Sequence, residues 1–219
     1  MITLACLDMA GTTVRDAGLV DSAFAEAMSA VGLAERELPA AQDYVHRTMG
    51  LPKEVVFRAI LHDDARAREA VAAFDASVMR EVGAGTVKEL PGATEALQQL
   101  RRQGIAICLT TGFTAEVQAA IVGHLGWGAI VDLTLAPAAG IRGRPFPDLV
   151  LTAVLRLGIE DVRAVAVAGD TANDLTAGYR AGAGVIAGVL SGAHTRAELE
   201  AAPHTHILET IAELPGIVS

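Results

Sequence analysis

The chain has 219 residues, of which 52% are hydrophobic and only 4% aromatic, and its formal net charge is −9. This length and apolar content predict one large domain, or a core with a smaller inserted domain, packed largely from small side chains. With 17 Lys and Arg residues against this net charge, the chain has no broad positive surface for nucleic acid, so any bound anion needs a local site.

Cysteine usage and hydropathy indicate the compartment. Cys6 and Cys108 both lie in apolar runs, which is typical of small buried hydrophobic residues, and two cysteines predict no disulfide framework. No apolar run approaches the roughly 20 residues of a membrane span, and no basic region precedes the short apolar stretch at the N-terminus. We therefore expect a cytoplasmic protein without a membrane span or a signal peptide.

Short apolar runs alternate with helical patterns over most of the chain. Strands are predicted at 2–7, 105–109, 129–133, 163–168, 184–189 and 206–208, and helices at 93–103, 114–125, 147–157 and 172–181. Gly104, Gly158 and Gly182 fall just past three of these helices, where a left-handed residue commonly ends a helix. This alternation predicts an α/β fold, a doubly wound parallel sheet covered by helices on both faces.

One region interrupts the alternation. Residues 20–88 contain no convincing strand and predict four helices, at about 20–32, 40–48, 52–62 and 64–82. We therefore predict a helical cap domain at 16–86, inserted into a core domain made of 1–15 and 87–219. Hinges for cap opening are expected near 14–16 and 83–88.

Asp8 lies at the end of the first predicted strand, in Leu7-Asp8-Met9-Ala10-Gly11-Thr12-Thr13. Because ligands bind beyond the carboxyl ends of parallel strands, Asp8 is presented at the reactive edge of the sheet. Gly11 lets the backbone approach a ligand, and the hydroxyls of Thr12 and Thr13 can bind phosphate oxygens or cap the turn. Asp8 is then either a nucleophile or a turn-capping acid, and this segment alone leaves both open.

Two further polar segments follow later strands. Thr110-Thr111-Gly112-Phe113 lies between a strand and a helix, where hydroxyl and backbone N–H groups bind phosphate or simply cap the helix. Gly143-Arg144-Pro145-Phe146-Pro147 holds a guanidinium on a stiff loop. Arg144 can pair there with the carboxylate of a nucleophile and with a phosphoryl oxygen, or it is an ordinary surface arginine.

Two carboxylates follow the strand predicted at 163–168. Asp170 and Asp174 are four residues apart, at a strand end and a helix start, where they can bind a hard cation through oxygen. Asp174 alternatively serves as an acid favoured by the helix dipole. Each of the four polar segments is a weak signal alone, but their order and their common position at strand ends make the combination specific.

Taken together, the four segments resemble the four motifs of the haloacid dehalogenase superfamily, and the helical insertion resembles that superfamily's cap. The resemblance implies that Asp8 forms an aspartyl-phosphate and that Arg144 replaces the usual lysine. It implies a phosphoryl group bound by Gly11, Thr12, Thr111, Gly112 and Arg144. It implies Mg²⁺ as the cofactor, supported by Asp8, the main-chain carbonyl of Ala10, Asp170 and Asp174.

Ala10 narrows the expected reaction. Phosphatases of the superfamily carry a second Asp here, which protonates the leaving alcohol and then activates water, and such help is worth about 10²–10⁴-fold. The phosphonatase (phosphonoacetaldehyde hydrolase) branch resembles this chain at this point, since it also has alanine here and arginine in the third motif. Met49-Gly50-Leu51-Pro52-Lys53 is similar to a phosphonatase segment whose lysine forms a Schiff base with an aldehyde substrate. By this resemblance Lys53 is catalytic; the alternative is a lysine that contacts phosphate or solvent.

Two departures from the phosphonatase pattern keep the substrate open. The family histidine three positions after the lysine is Val56 here, and the family tyrosine after the second-motif glycine is Phe113. His46 or His62 could replace that histidine, but helical spacing gives neither residue clear support. We predict hydrolysis of a small organophosphorus compound, phosphonoacetaldehyde or a relative. A phosphomonoesterase is the main alternative, a non-catalytic binding module is a further one, and the motifs disfavour a dehalogenase.

The resemblance also implies a homodimer formed through cap helices. One face of the first cap helix is apolar and permits such contacts, although it equally suits the internal core of the cap: Val20, Phe24, Ala27, Met28 and Val31. The loop at 188–193 is interpreted as surface, with a place beside the site as the alternative.

Overall fold

A computed structural model describes residues 1–218. Its centre is a six-stranded parallel sheet of order β3-β2-β1-β4-β5-β6. The strands are β1 Leu4–Asp8, β2 Ala106–Thr110, β3 Leu133–Leu135, β4 Val165–Gly169, β5 Val185–Val189 and β6 His206–Leu208. The predicted doubly wound α/β fold is confirmed.

The central strands are apolar on both faces because helices cover both sides of the sheet. All five residues of β1 and of β4 are buried. Cys6 and Cys108 are partners in the β1–β2 ladder, and both are buried and free. They behave as small core residues, as their apolar surroundings predict.

The core helices alternate with these strands. They are α5 Ala93–Arg102, α6 Ala115–His124, α7 Asp148–Arg156, α8 Ala172–Ala181, α9 Arg196–Glu200 and α10 Leu214–Ile217. Gly104, Gly158 and Gly182 all have positive φ just after helices, as expected. Within residues 1–218, no helix combines the length and the apolarity that crossing a membrane requires.

The strand predicted at 129–133 is wrong in position, because β3 begins only at Leu133. Residues Trp127–Ala129 form a short 3₁₀ turn that starts after Gly126 at φ 71°. The turn buries the indole of Trp127, whose N–H donates to the hydroxyl of Thr94 at 2.8 Å. The apolar run predicted as a strand at 129–133 therefore lies largely in the turn region that precedes β3.

Four helices separate β1 from α5, close to their predicted bounds. They are α1 Leu19–Ala30, α2 Leu38–Arg47, α3 Lys53–Leu61 and α4 Asp64–Ala84. The apolar face of α1 packs inside this bundle, where the ring of Phe24 stacks on Phe57 and Phe57 meets Phe74 edge to face. That face forms the bundle's own core, and the homodimer remains a prediction.

The two chain segments that join this bundle to the sheet pair with each other. Val14 and Glu89 form an antiparallel bridge, and the N–H of Arg15 donates to the carbonyl of Lys88 at 2.9 Å. The two linkers therefore form a short ribbon. It lies next to the predicted domain boundaries, and the division into two domains itself remains a prediction.

Candidate active site

Asp8 ends the central strand β1, between the ends of β2 and β4. The chain then turns sharply, and the hydroxyl of Thr13 donates to the carbonyl of Asp8 at 2.9 Å. Asp8 is only 5% exposed. Burial raises its pKa well above the ordinary value; Arg144 opposes this shift, while the charges of Asp174 and Asp170 add to it.

Arg144 joins two of the predicted carboxylates. Its Nη1 donates to Asp8 Oδ1 at 2.5 Å and also to Asp174 Oδ1. Burial opposes its charge, but the two carboxylates outweigh burial and raise the pKa of the guanidinium above its ordinary value. Its Nε is buried and has no partner within residues 1–218. An unpaired guanidinium donor of this kind suits an oxygen of a phosphoryl group.

Asp170 and Asp174 lie at the end of β4 and in the first turn of α8. Asp170 accepts hydrogen bonds from the hydroxyl of Thr12 at 3.1 Å and from the N–H of Ala193 at 2.7 Å. Asp174 accepts from the N–H and hydroxyl of Thr171, the residue that caps α8, at 3.1 and 2.5 Å. Asp174 therefore caps the helix, as its alternative role predicts, and also lies in the site.

The acidic cluster has the chemistry of a site for a divalent cation. One carboxylate oxygen from each of Asp8, Asp170 and Asp174 lies within 4.8 Å of the others. Three buried carboxylates against the single guanidinium of Arg144 leave an excess of negative charge, which a cation would offset. Hard oxygen donors are the ligands that Mg²⁺ prefers, so the residues fit this metal.

The acids enclose a small cavity between the sheet edge and the helical bundle. Its volume is about 20 Å³, room for about one water molecule. Residues of both parts line it: Asp8, Ala10, Val20, Met49, Gly50, Lys53, Thr111, Gly112, Phe113, Arg144, Asp170 and Thr171. Three of the predicted site residues, Gly11, Thr12 and Asp174, do not line the cavity. They support it by contacting Asp170 or Arg144, which do.

Lys53 enters the cavity from the start of α3. Its Nζ lies 5.4 Å from the ring centroid of Phe74 and 5.7 Å from that of Phe113. Burial, and next the charge of Arg144, lower the pKa of Lys53 to about 8, against the opposing charges of three nearby acids, Asp16, Asp8 and Asp170. A lysine with this pKa is partly neutral near physiological pH, as a nucleophilic amine must be.

The segment before Lys53 docks directly on loops of the core. The side chain of Asn173 donates to the carbonyl of Met49 at 2.7 Å, and the N–H of Lys53 donates to the carbonyl of Gly112 at 3.3 Å. A Cβ on Gly112 would lie 2.6 Å from the carbonyl oxygen of Leu51. The absence of a side chain at Gly112 thus lets the segment before Lys53 pack closely against the loop at 110–113.

Comparisons with known proteins identify the family of this chain. The family model described as haloacid dehalogenase-like hydrolase matches residues 2–182. The chain belongs to the haloacid dehalogenase-like hydrolases. This hydrolase is 31% identical to a protein of Dickeya dadantii named probable phosphatase IndB, over 99% of its own length and 93% of that protein. It is therefore an enzyme, and the binding-module alternative is set aside.

A second relative carries the name phosphonoacetaldehyde hydrolase, from Pseudomonas aeruginosa. It is 33% identical over 59% of this hydrolase, and the match spans 55% of that relative, about half of its length. Among solved structures, a hydrolase from Pseudomonas syringae has a TM-score of 0.84 at 23% identity, covering 98% of this chain and 96% of that one. This last likeness supports the fold.

The two histidines considered as replacements for the family histidine at position 56 lie elsewhere in the hydrolase, in agreement with the lack of support from helical spacing. His46 pairs with Asp21 at 3.0 Å, and both side chains are more than half exposed. His62 is exposed at the end of α3, where its φ of 51° terminates the helix. Val56 is buried inside the helical bundle. Helical spacing brings neither histidine to the cavity.

The loop at 188–193, interpreted as surface, proves to be part of the site's support. The hydroxyl of Ser191 donates to the carbonyl of Gly11 at 2.8 Å, and the N–H groups of Ala193 and His194 donate to Asp170. The sheet order explains this, because β5 is the neighbour of β4 and its carboxyl end opens onto the same edge.

Replacing Gly11 by alanine is expected to destabilise the hydrolase by about 2–4 kcal/mol, because positive φ and crowding add. Gly11 has a φ of 84°, and a Cβ there would strike the carboxylate of Asp170 and lie 3.0 Å from Gly192 Cα. Gly32→Ala is the matched control, since Gly32 has a φ of 67° with nothing within 4 Å. Urea unfolding measures both, and an equal cost would show that crowding of Asp170 is unimportant.

The stability of the metal-free hydrolase is expected to fall as the pH rises from 5 to 7, by about 1–3 kcal/mol. Burial and Asp174 raise the pKa of Asp170 from 3.8 to about 6, so the folded state binds this proton more tightly than the unfolded chain. That contribution is complete below pH 3.8 and is lost as the pH rises through about 6.

Thermal unfolding at pH 5 and pH 7 measures this fall, with Asp170→Asn as the variant that should show much less of it. Mg²⁺ should remove most of the difference, because the cation favours the charged carboxylates. A wild-type pH dependence equal to that of Asp170→Asn would contradict the assignment to Asp170.

Proposed function

We propose that this hydrolase is a magnesium-dependent, phosphonatase-like enzyme that cleaves the P–C bond of phosphonoacetaldehyde or a closely related small substrate. One observation carries the proposal: Lys53, with a pKa of about 8, shares a cavity of about 20 Å³ with Asp8 and Ala10. An amine thus lines the same cavity as Ala10, the residue that stands where phosphatases of the superfamily have an acid–base carboxylate.

The amine first activates the substrate. Neutral Lys53, about a tenth of the population at pH 7 for a pKa near 8, attacks the aldehyde carbon, and loss of water gives a protonated imine. The rings of Phe74 and Phe113 beside Nζ exclude bulk water from this step. The positive imine then stands next to the carbon that bears phosphorus.

Asp8 next attacks phosphorus. As the new P–O bond forms, the P–C bond breaks and its electron pair moves into the imine, which becomes a neutral enamine. No leaving alcohol needs a proton, which accounts for Ala10. The guanidinium of Arg144 holds Asp8 in place and supplies positive charge to the phosphoryl group. Mg²⁺ bound by Asp8, the Ala10 carbonyl, Asp170 and Asp174 would offset the repulsion between carboxylate and phosphoryl group.

Two hydrolyses complete the cycle. Protonation of the enamine carbon and addition of water release acetaldehyde and regenerate Lys53. Water also cleaves the aspartyl-phosphate, which releases phosphate and restores Asp8. The balance is one phosphonoacetaldehyde and one water consumed, with one acetaldehyde and one phosphate formed, because the water lost in imine formation returns in imine hydrolysis.

A phosphomonoesterase is the second candidate function. The relative named probable phosphatase, matched over nearly the whole chain, favours it. Asp8, Arg144 and the acidic cluster would serve phosphoryl transfer from an ester equally well. Ala10 then requires a leaving group that needs no acid, or one protonated by a residue of the helical bundle.

Phosphate release from phosphonoacetaldehyde and from a panel of small phosphate monoesters, with and without Mg²⁺, tests the proposal. We expect magnesium-dependent release from the aldehyde, together with one acetaldehyde per phosphate. Release from esters alone would overturn the phosphonatase assignment in favour of the esterase. No release from either class would contradict both.

A further inference from the structure

The lysine is enclosed by two rings that belong to different parts of the fold. Phe74 lies in α4 of the helical bundle, and Phe113 lies in the loop before core helix α6. The two ring centroids are 6.1 Å apart. In both cases a polar residue follows the ring directly in sequence: Asp75 after Phe74, and Thr114 after Phe113.

These two polar residues are hydrogen-bonded to each other. The hydroxyl of Thr114 donates to Asp75 Oδ2 at 2.8 Å. The same hydroxyl accepts from the N–H of Val117 as the N-cap of α6, which leaves its proton for Asp75. The bond therefore joins the helical bundle to the core one residue away from each ring of the lysine enclosure.

Asp75 is a costly residue at this position. Its Oδ1 is buried and has no partner within the described part of the chain. Burial raises the pKa of Asp75; the Thr114 hydrogen bond opposes this shift, Glu116 adds to it, and Lys53 opposes it. An unpaired buried carboxylate oxygen weakens the fold, so stability alone does not account for Asp75.

We propose that the Thr114–Asp75 hydrogen bond is a latch between α4 and α6 that holds Phe74 and Phe113 against Lys53 and keeps water from the amine. Asp75 and Thr114 are then positioning residues that act through the rings. The inference rests on the proposed function, since keeping water from Lys53 is useful when the neutral amine attacks a substrate.

Breaking the Thr114–Asp75 hydrogen bond should shift the pKa of Lys53 in a predictable direction. Water that enters beside Lys53 relieves its burial and moves its pKa from about 8 toward the ordinary 10.5. The charged groups that face Lys53 do not change: Arg144, Asp8, Asp16 and Asp170. Loss of the Asp75 charge alone acts the other way, because a nearby negative charge favours the ammonium. If Asp75 acts as a latch, its removal therefore raises the pKa of Lys53. If Asp75 acts only as a counter-charge, its removal lowers that pKa.

The chain offers an internal standard for measuring this shift. Lys53 and Lys88 are its only lysines, and Lys88 is exposed, with Nζ donating to the carbonyl of Gly85 at 2.7 Å. Competitive labelling with an amine-specific reagent over roughly pH 6–11, read by mass spectrometry, gives the apparent pKa and the limiting rate of each amine. The test variants are Asp75→Ala and Thr114→Val. Asp75→Asn and Thr114→Ser are matched controls, because both keep the hydrogen bond.

Both test variants are expected to raise the apparent pKa of Lys53 by about one unit, a tenfold loss of neutral amine at pH 7. Lys88 should not change, and the controls should leave Lys53 at about 8 or slightly lower. An unchanged or lowered Lys53 pKa in Asp75→Ala would overturn the latch. Asp75→Ala leaves the cap of α6 intact, so it decides the matter even if Thr114→Val fails to fold.

The labelling needs no substrate, so its outcome is independent of the reaction catalysed. A raised pKa in the test variants together with no aldehyde turnover in the wild type would support the latch and contradict the phosphonatase function. Aldehyde turnover in the wild type with no pKa change in the test variants would support the phosphonatase function and contradict the latch.

Discussion

Asp8→Asn is expected to abolish phosphate release, by on the order of 10⁴–10⁶-fold, while the protein stays folded. The amide oxygen can still accept the hydrogen bond from Arg144, but it cannot attack phosphorus. The variant also removes one of three buried carboxylates whose mutual repulsion raises the pKa of Asp8. The metal-free variant should therefore be at least as stable as the wild type at pH 7.

Turnover and intact mass measure the outcome for Asp8→Asn. The wild type quenched during turnover should carry one phosphoryl group on Asp8, and the variant should carry none. Asp161→Asn is the control, since Asp161 is partly exposed and, within residues 1–218, its ion pair is with its near neighbour Arg163. Substantial turnover in Asp8→Asn would mean that the phosphoryl group passes directly to water.

Lys53→Ala is expected to reduce turnover of phosphonoacetaldehyde by on the order of 10³-fold or more, because no other group can form the imine. Any ester hydrolysis should fall by much less, about tenfold, since only a cation near the phosphoryl group is lost. Lys53→Arg should match Lys53→Ala on the aldehyde, because a guanidinium stays protonated and cannot form the imine.

Borohydride reduction in the presence of the aldehyde tests the same prediction without turnover. A stable adduct should form on Lys53 in the wild type, and none should form on Lys88, the one remaining lysine, in Lys53→Ala. Lys88→Ala is the matched control and should keep both the adduct and the activity, because Lys88 is exposed outside the cavity. Equal losses on aldehyde and ester would instead assign Lys53 to phosphate binding.

Much of the fold and part of the site could be predicted from the sequence, for physical reasons. Strands that are buried on both faces appear as apolar runs in the sequence. Glycines just past three of the helices mark where those helices end. The carboxyl ends of parallel strands share one edge, so Asp8, Asp170 and Arg144 could be placed together although more than 130 residues separate Asp8 from the others.

The remainder depends on contacts that no local pattern encodes. In the sequence, Asp75 cannot be distinguished from the other acids of an amphipathic helix. Only the packing of α4 against α6 brings it to Thr114. Ser191 supports the nucleophile loop because of the strand order, which periodicity does not reveal. His46 and His62 were proposed for their chemistry alone, and helical geometry points them to solvent.

The paired linkers have a consequence for how this protein can change. Because Val14 and Glu89 are bridge partners, the chain leaves the sheet and returns to it at a single point. A segment attached in this way can be lengthened, shortened or exchanged without rethreading any strand. The carboxylates and Arg144 stay on the sheet edge, whereas Lys53 and Phe74 travel with the exchanged segment. New substrates can therefore be acquired by splicing at one junction, with the acidic cluster and Arg144 inherited unchanged.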